Sequence, residues 1–325
     1  MIKLKAVGDV MLGEHHIMIE NSIRTKIKKY GGKFIFKKIK THLNADLSFC
    51  NLEAPISEKD RSCIYKKSFK APMKSIESLK HAGFNIISLA NNHIMQHGNE
   101  TFNKTQELLE KNNIKTIKNP TIINKNKMKI AFLAYAKTND KTALYEKYNL
   151  DKITSDIKKI KNKVHHIIVS LHWGHEYITQ PSPEQIKEAH KIIDAGASII
   201  LGHHPHVIQP VEIYKNKIIA YSLGNFVFDQ KWMEKTNLGL ILSCDLNKKD
   251  IKNIKIKRIK INKNFQPELI DEIKPQKPIS LKNYKKLAKK ANQKKKKNMY
   301  LFILRNILKL HPATIPSLFW IKVKK

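Results

Sequence analysis

Six short segments of this 325-residue chain concentrate the residue types that bind metals and move protons. GDVMLG (8–13) carries Asp9, NLEAP (51–55) carries Glu53, and ANNHIMQHG (90–98) sets Asn92 beside His93. HWGHEY (172–177) opens on His172, GHHPHVIQP (202–210) holds His203, His204 and His206, and SLGNFVFD (222–229) completes the set. Imidazole and carboxylate donors with no thiolate among them suit Zn, Mn, Fe or Ni. Taken singly these segments say little, because an Asp after a strand is ordinarily a turn former and an Asn–Asn–His run serves a turn equally well. The GHHPH loop is more specific. Three imidazoles within four residues, bounded by Gly202 and stiffened by Pro205, form a rigid cluster of nitrogen donors.

What must bring these segments together is a set of apolar strands, since each segment follows one. IKLKAV precedes GDVMLG, LSFC precedes NLEAP, and FNIISLA (84–90) runs into the Asn–His pair. HIIVSLH (166–172), ASIILG (197–202) and KIIAYSLG (217–224) lead into the remaining three, and KIAFLAY (129–135) is a further strand of the same kind. Helix-like stretches intervene at Pro72–Ala82, Glu100–Lys111 and Pro183–Ala195, the last with Pro near its start and Gly196 just past its end. Nearly continuous apolar strands alternating with helices predict sheets covered on their faces, hence an α/β core. In such cores ligand sites assemble at the carboxyl ends of the strands. Beyond about residue 238 the pattern turns strand-rich, and the alternation of IKIKRIKI predicts a half-exposed edge strand. Pro267, Pro275 and Pro278 mark a linker. The expected organisation is therefore a domain over 1–265, a Pro-containing linker over 266–280 and a basic, partly amphipathic tail over 281–325.

GDVMLG, NLEAPIS, FKAP (69–72), SLANNHIMQHG, HWGHEY, GHHPHVIQP and SLGNFVFD together resemble the signature set of the CapA-type poly-γ-glutamate capsule biosynthesis proteins, a family grouped with the calcineurin-like metallophosphoesterases. The resemblance covers about residues 1–245. It implies a four-layer α/β/β/α sandwich with a two-metal site where the strand-end loops meet, holding divalent Mn, Zn or Fe. On that resemblance Asp9, Glu53, Asn92, His172, His204 and His206 are metal ligands, with Glu53 where the superfamily has a bridging Asp and His203 a further candidate. His93 would stand near the leaving group. Two cations can clamp an in-line displacement and activate a water, and a His not bound to metal can protonate the leaving oxygen. Two positions depart from the pattern. Met11 replaces the His that usually follows the first Asp by two residues, and Gln96 replaces an Asp three residues after His93, leaving His97 or Glu176 as substitute partners for that ring. Family members in capsule assembly also commonly begin with a membrane anchor, which this N-terminus does not show.

The resemblance implies a metal-dependent hydrolase acting on an anionic polymer or a phosphoester. The alternative is a non-catalytic factor that uses the same fold to assemble or export an anionic polymer such as poly-γ-glutamate, and a nucleic-acid phosphodiesterase is a third reading.

Composition narrows these choices. The 62 Lys+Arg against 27 Asp+Glu give a net charge of +35, with 41% hydrophobic residues, enough apolar surface for a sizeable core. Only Arg24, Arg61, Arg258 and Arg305 are arginine, and the scarcity of the residue that grips guanine and phosphate bidentately argues against sequence-specific nucleic-acid binding. Cys50, Cys63 and Cys244 are too few and too scattered for a disulfide framework. The segment 281–325 carries 14 Lys/Arg and no acid. Its lysines, followed by Leu, Phe, Ile and Trp320, fit peripheral contact with anionic membrane, and equally an apolar stretch packed on the core with its lysines solvated, with an acidic polymer partner as a third reading. The N-terminal apolar run is broken by Lys3, Lys5 and Asp9, unlike a signal peptide, and no apolar run reaches the length of a membrane span. The expected location is cytoplasmic, at the inner membrane surface if the tail binds lipid.

Overall fold

Period-two alternation decides where each strand's side chains go, and in this chain both faces are apolar. In β1 (Ile2–Val10), Ile2, Leu4 and Ala6 point to one core while Val7 points to another, and a register shift beside Asp9 turns Val10 to the same side as Val7. A strand apolar on both faces must be covered on both. The computed structural model describes residues 1–18, 21–58, 68–140 and 142–306, and shows two sheets stacked face to face with helices on each outer side.

The chain runs β1, α1 (Ile23–Tyr30), β2 (Leu47–Leu52), α2 (Ser75–Ala82), β3 (Ile86–Ser88), α3 (Gly98–Lys111), β4 (Lys115–Thr116), β5 (Thr121–Lys125), β6 (Met128–Ala136) and α4 (Leu150–Ile160). There follow β7 (His166–His172), α5 (Pro183–Ala195), β8 (Ile199–His203), β9 (Val211–Tyr214), β10 (Lys217–Ala220), β11 (Asn225–Val227), β12 (Leu238–Leu246), β13 (Ile251–Ile261), β14 (Pro267–Ile273) and α6 (Tyr284–Asn306). The first sheet has the order β14-β13-β12-β1-β2-β3-β4, with β11 paired to the end of β1, and the second has the order β5-β6-β7-β8-β10-β9. Strands β1 to β4 are mutually parallel, as are β6, β7, β8 and β10, so the carboxyl ends of each parallel set share one edge of their sheet.

Between the sheets lie Ile2, Leu4, Phe49, Phe132, Ile168 and Leu201, with the Phe49 and Phe132 rings stacked at 6.4 Å across the interface. The outer face of the first sheet is covered by α1, α2 and α3 through Ile27, Leu79 and Phe102. The outer face of the second is covered by α4 and α5 through Ile153, Ile157, Ala189 and Ile192. This is the four-layer α/β/β/α sandwich. Helix α5 is fixed as its sequence predicts. Pro183 opens it, Ser182 and Gln185 form a reciprocal capping box, and Gly196 closes it at φ 130°.

Two expectations are corrected at the C-terminal side. IKIKRIKI lies in β13, which alternates between covered and open positions but is not an edge, because β14 pairs along its outer side. Strand β14 itself lies inside the stretch expected to be a linker. Its sequence PELIDEI supplies the acids that the lysine-rich β13 lacks, placing Arg258 opposite Asp271, Lys257 opposite Glu272 and Lys260 opposite Glu268. Arg258 Nε donates to Asp271 Oδ1 at 2.9 Å. Pro267 is tolerated because it begins an edge strand, where its missing N–H is not needed. The irregular remainder is tethered to the second sheet's side, with Gln276 N donating to Val211 O and Ile279 N to Gln180 Oε1.

In the tail, Tyr284 and Ala288 of α6 pack against Ile178, and Ile303 is buried in the core beneath the first sheet's helices. No helix among the described residues is long and apolar enough to cross a membrane. Trp320 and the other tail residues beyond Asn306 lie outside the described residues.

Candidate metal centre

The loops after β1, β2, β3, β7 and β8 converge because two parallel strand sets, one in each sheet, end on the same side. Close backbone approach helps. A Cβ on Gly8 would lie 1.9 Å from Gly224 O, and one on Gly202 would lie 2.0 Å from Tyr221 O, so only glycine lets these strands draw together beneath the site. His204 and His206 have φ of 95° and 56°, and Tyr177 of 66°. Such left-handed backbone in residues with side chains is uncommon and collects at functional sites.

Asp9, at the end of β1, is fully buried and held from several directions. Asn51 Nδ2 donates to its Oδ1 at 2.9 Å, His203 Nδ1 lies 3.1 Å from the same oxygen, and His204 N donates to Oδ2 at 3.2 Å. Burial raises its pKa, but the His203 contact, the His203 and His206 charges and the Asn51 amide outweigh burial and hold the carboxyl below its usual range. Glu53 is anchored by its own N–H on Val10 O, and its side chain is also fully buried. Neither carboxylate oxygen has a hydrogen-bond partner, although Oε1 stands 3.6 Å from His172 Nε2 and 3.9 Å from His206 Nε2. Burial, then the Asp9 charge and the Glu176 charge, raise its pKa well above the ordinary value.

His172 Nε2 lies 2.8 Å from Asn92 Oδ1, and burial followed by the neighbouring imidazoles holds this ring well below the usual His pKa. His204 has an unpartnered Nδ1, and burial is the first cause of its pKa of about 4. His206 is oriented by Nδ1, 2.9 Å from Asn225 Oδ1, so Nε2 faces Glu53. These rings are therefore kept neutral or pinned by a second partner, the condition a metal-binding imidazole needs.

Three groups of donor atoms lie within 4.8 Å of one another: Asp9, Glu53 and His206; Glu53, His172 and His204; and Glu176, His204 and His206. The first two share Glu53. A fully buried carboxylate with no hydrogen-bond partner, ringed by imidazole nitrogens, fits a divalent cation, since no hydrogen bond offsets its charge.

Of the residues expected from sequence, five thus meet in these groups, and Asn92 joins them through His172. His93 stands beside Asn92, with Nε2 3.2 Å from Asn92 Nδ2 and its ring stacked on Phe69 at 3.8 Å. Burial lowers its pKa to about 4. Its Nδ1 lies 3.0 Å from Gln96 Oε1, so Gln96 fills the orienting role for which His97 and Glu176 were the substitutes in prospect, and His97 instead turns to Ser68 O. Met11 is buried in the core, with its sulfur accepting from Gly13 N at 3.1 Å. Glu176 was not expected among the ligand groups. It is a carboxylate in the loop after β7, a signal that HWGHEY already contained. Burial would raise its pKa, but Lys295, His206 and His204 bring it to about 2.

The class defined here is a four-layer α/β/β/α sandwich whose converging strand ends gather imidazole and carboxylate donors that could hold a metal ion. The chain belongs to the family described as bacterial capsule synthesis protein PGA_cap, whose model matches residues 3–230. It is 32% identical over 266 residues to the capsule biosynthesis protein CapA of Bacillus anthracis, across 74% of this chain and 63% of that one. It is 29% identical over 262 residues to the PGA biosynthesis protein CapA of Bacillus subtilis, across 72% of this chain and 65% of that one. The chain thus spans less than two thirds of the length of these relatives. Among solved structures it is similar to a novel phosphatase from Mycoplasma pneumoniae, at 16% identity and a TM-score of 0.49, covering 84% of this chain and 95% of that one.

Proposed function

We propose that this chain is a metal-dependent hydrolase of capsule or cell-envelope polymer synthesis, acting on a phosphoester or another anionic polymer linkage. In this reading Asp9, Glu53, Asn92, His172, His204 and His206 hold two divalent cations, Mn, Zn or Fe, with Glu53 common to both. The observation that carries it is the sharing of Glu53 between two adjacent donor groups while neither of its oxygens has a protein partner. When bound, a cation pair would polarise a substrate oxygen and acidify a water.

The chain's own residues do the rest. Asp9 is kept anionic by Asn51 and His203. Asn225 fixes the imidazole of His206 through Nδ1 and leaves its Nε2 toward Glu53. Gln96 holds Nδ1 of His93, which leaves Nε2 as the nitrogen that exchanges a proton with a leaving oxygen. His93 is neutral as found, and an anionic substrate beside it favours its protonated form, the state required of a donor.

A second reading, a non-catalytic factor for assembly or export of a polyanion such as poly-γ-glutamate, is favoured by Met11, whose buried thioether stands where a hydrolase of this superfamily has an imidazole. Assay of p-nitrophenyl phosphate and bis-p-nitrophenyl phosphate hydrolysis by metal-loaded wild type, His204→Ala and Asn92→Ala separates the two. Loss of about tenfold or more in both variants supports the hydrolase. Equal rates in all three proteins assign the activity elsewhere and favour the assembly role.

A further inference from the structure

Helix α6 lies beyond the residues matched by the family, yet it crosses the rim of the candidate metal centre. Near its start, Tyr284 and Ala288 pack on Ile178, and near its end Ile303 is buried while Phe302 meets Trp232 at 6.2 Å. Between these anchors Lys295 reaches inward. Its Nζ lies 2.7 Å from Glu176 Oε2 and 5.0 Å from the centre of the Tyr177 ring. Glu176 in turn belongs to the donor group with His204 and His206.

An ammonium group has three N–H donors, and Glu176 takes one. The Lys295 side chain remains 30% exposed, so it is not sealed in by its contact with Glu176. The apolar anchors on either side dock α6 without needing this ion pair. A lysine placed in this way adds positive charge one ion pair beyond the metal-holding residues.

We propose that Lys295 is a substrate-binding residue of this site, receiving an oxyanion group, phosphoryl or carboxylate, of the anionic substrate. The inference rests on the reading above that the substrate is an anion. Lys295 therefore determines specificity rather than the chemical step. The neighbouring Lys294, Lys296 and Lys297 are exposed and make no contact with Glu176.

The test uses the full chain loaded with Mn²⁺, with inorganic phosphate and a γ-linked glutamate oligomer as probes in calorimetric titration. Lys295→Gln is expected to weaken binding about tenfold, the loss typical of one charge-assisted contact, with metal content unchanged. Lys295→Arg should retain affinity within about threefold and Lys297→Gln within about twofold. Whichever probe shows the loss identifies phosphoryl or carboxylate as the group received. Wild-type affinity in Lys295→Gln, an equal loss in Lys297→Gln, or binding of neither probe by metal-loaded wild type overturns the proposal. Failure of wild type to take up metal overturns the functional reading beneath it, whereas normal metal uptake with unchanged anion affinity in Lys295→Gln overturns this inference alone.

Discussion

Glu53 Oε1 lies 3.6 Å from His172 Nε2, and both side chains are shut off from solvent. With no hydrogen bond to either oxygen, this carboxyl is a stability cost in metal-free protein and becomes an asset only beside a cation. Metal-free Glu53→Gln is expected to melt at or above the wild-type temperature. Saturating metal should stabilise wild type by ~2.7 kcal/mol at a hundredfold excess over Kd, and the variant by clearly less. Thermal denaturation with and without chelator checks this. Equal stabilisation of both proteins by metal would remove Glu53 from the ligand set.

Asp229 offers a pH dependence away from the donor groups. Its Oδ2 accepts from His15 N at 2.8 Å, its Oδ1 has no hydrogen-bond partner, and burial pushes its pKa up to about 7. The unfolded chain holds that proton only near the ordinary value of about 3.9. The stability this group contributes is therefore full below about pH 4 and is lost as the pH rises through about 7. Relative to wild type, Asp229→Asn should gain stability from pH 5 to pH 8, by as much as a few kcal/mol. Urea midpoints for both proteins across that range check it, and parallel curves would contradict it.

Two substitutions in one region separate scaffold from site. Ser182→Ala removes the α5 cap, at an expected cost of ~1 kcal/mol, and should leave metal content unchanged. Gly202→Ala forces a Cβ against Tyr221 O, where β8 meets β10 directly beneath His203 and His204. It should cost ~3 kcal/mol or more and lower metal content as well. Chemical denaturation with metal analysis distinguishes these outcomes, and a Gly202→Ala protein with wild-type stability would mean that the two strands can part without harm.

Much of this arrangement was legible in the sequence because β1, β6, β7 and β8 bury both faces, so their apolar runs and the polar segments after them stand out. What escaped reading depends on partners distant in the chain. Strand β14 was hidden by Pro267 at its start and by Pro275 and Pro278 just beyond its end, and its acids acquire meaning only opposite Arg258 and the lysines of β13. Gln96 reads as the loss of a carboxylate until its amide oxygen is seen 3.0 Å from His93. Glu176 was visible in HWGHEY, but spacing does not say that its carboxylate turns toward His204 and His206. Lys295 lies 119 positions from the acid it meets, and within a run of four lysines nothing in the sequence singles it out.

The sharing of Glu53 between two donor groups is tested most directly by counting metal ions bound per chain. Wild type and Glu53→Ala are saturated with Mn²⁺ or Zn²⁺, freed of excess ion and measured by elemental analysis against protein concentration. About two ions per wild-type chain, falling to one or none in Glu53→Ala, is the expected result for a bridged pair. Wild type binding no ion, or Glu53→Ala binding as many as wild type, would contradict it.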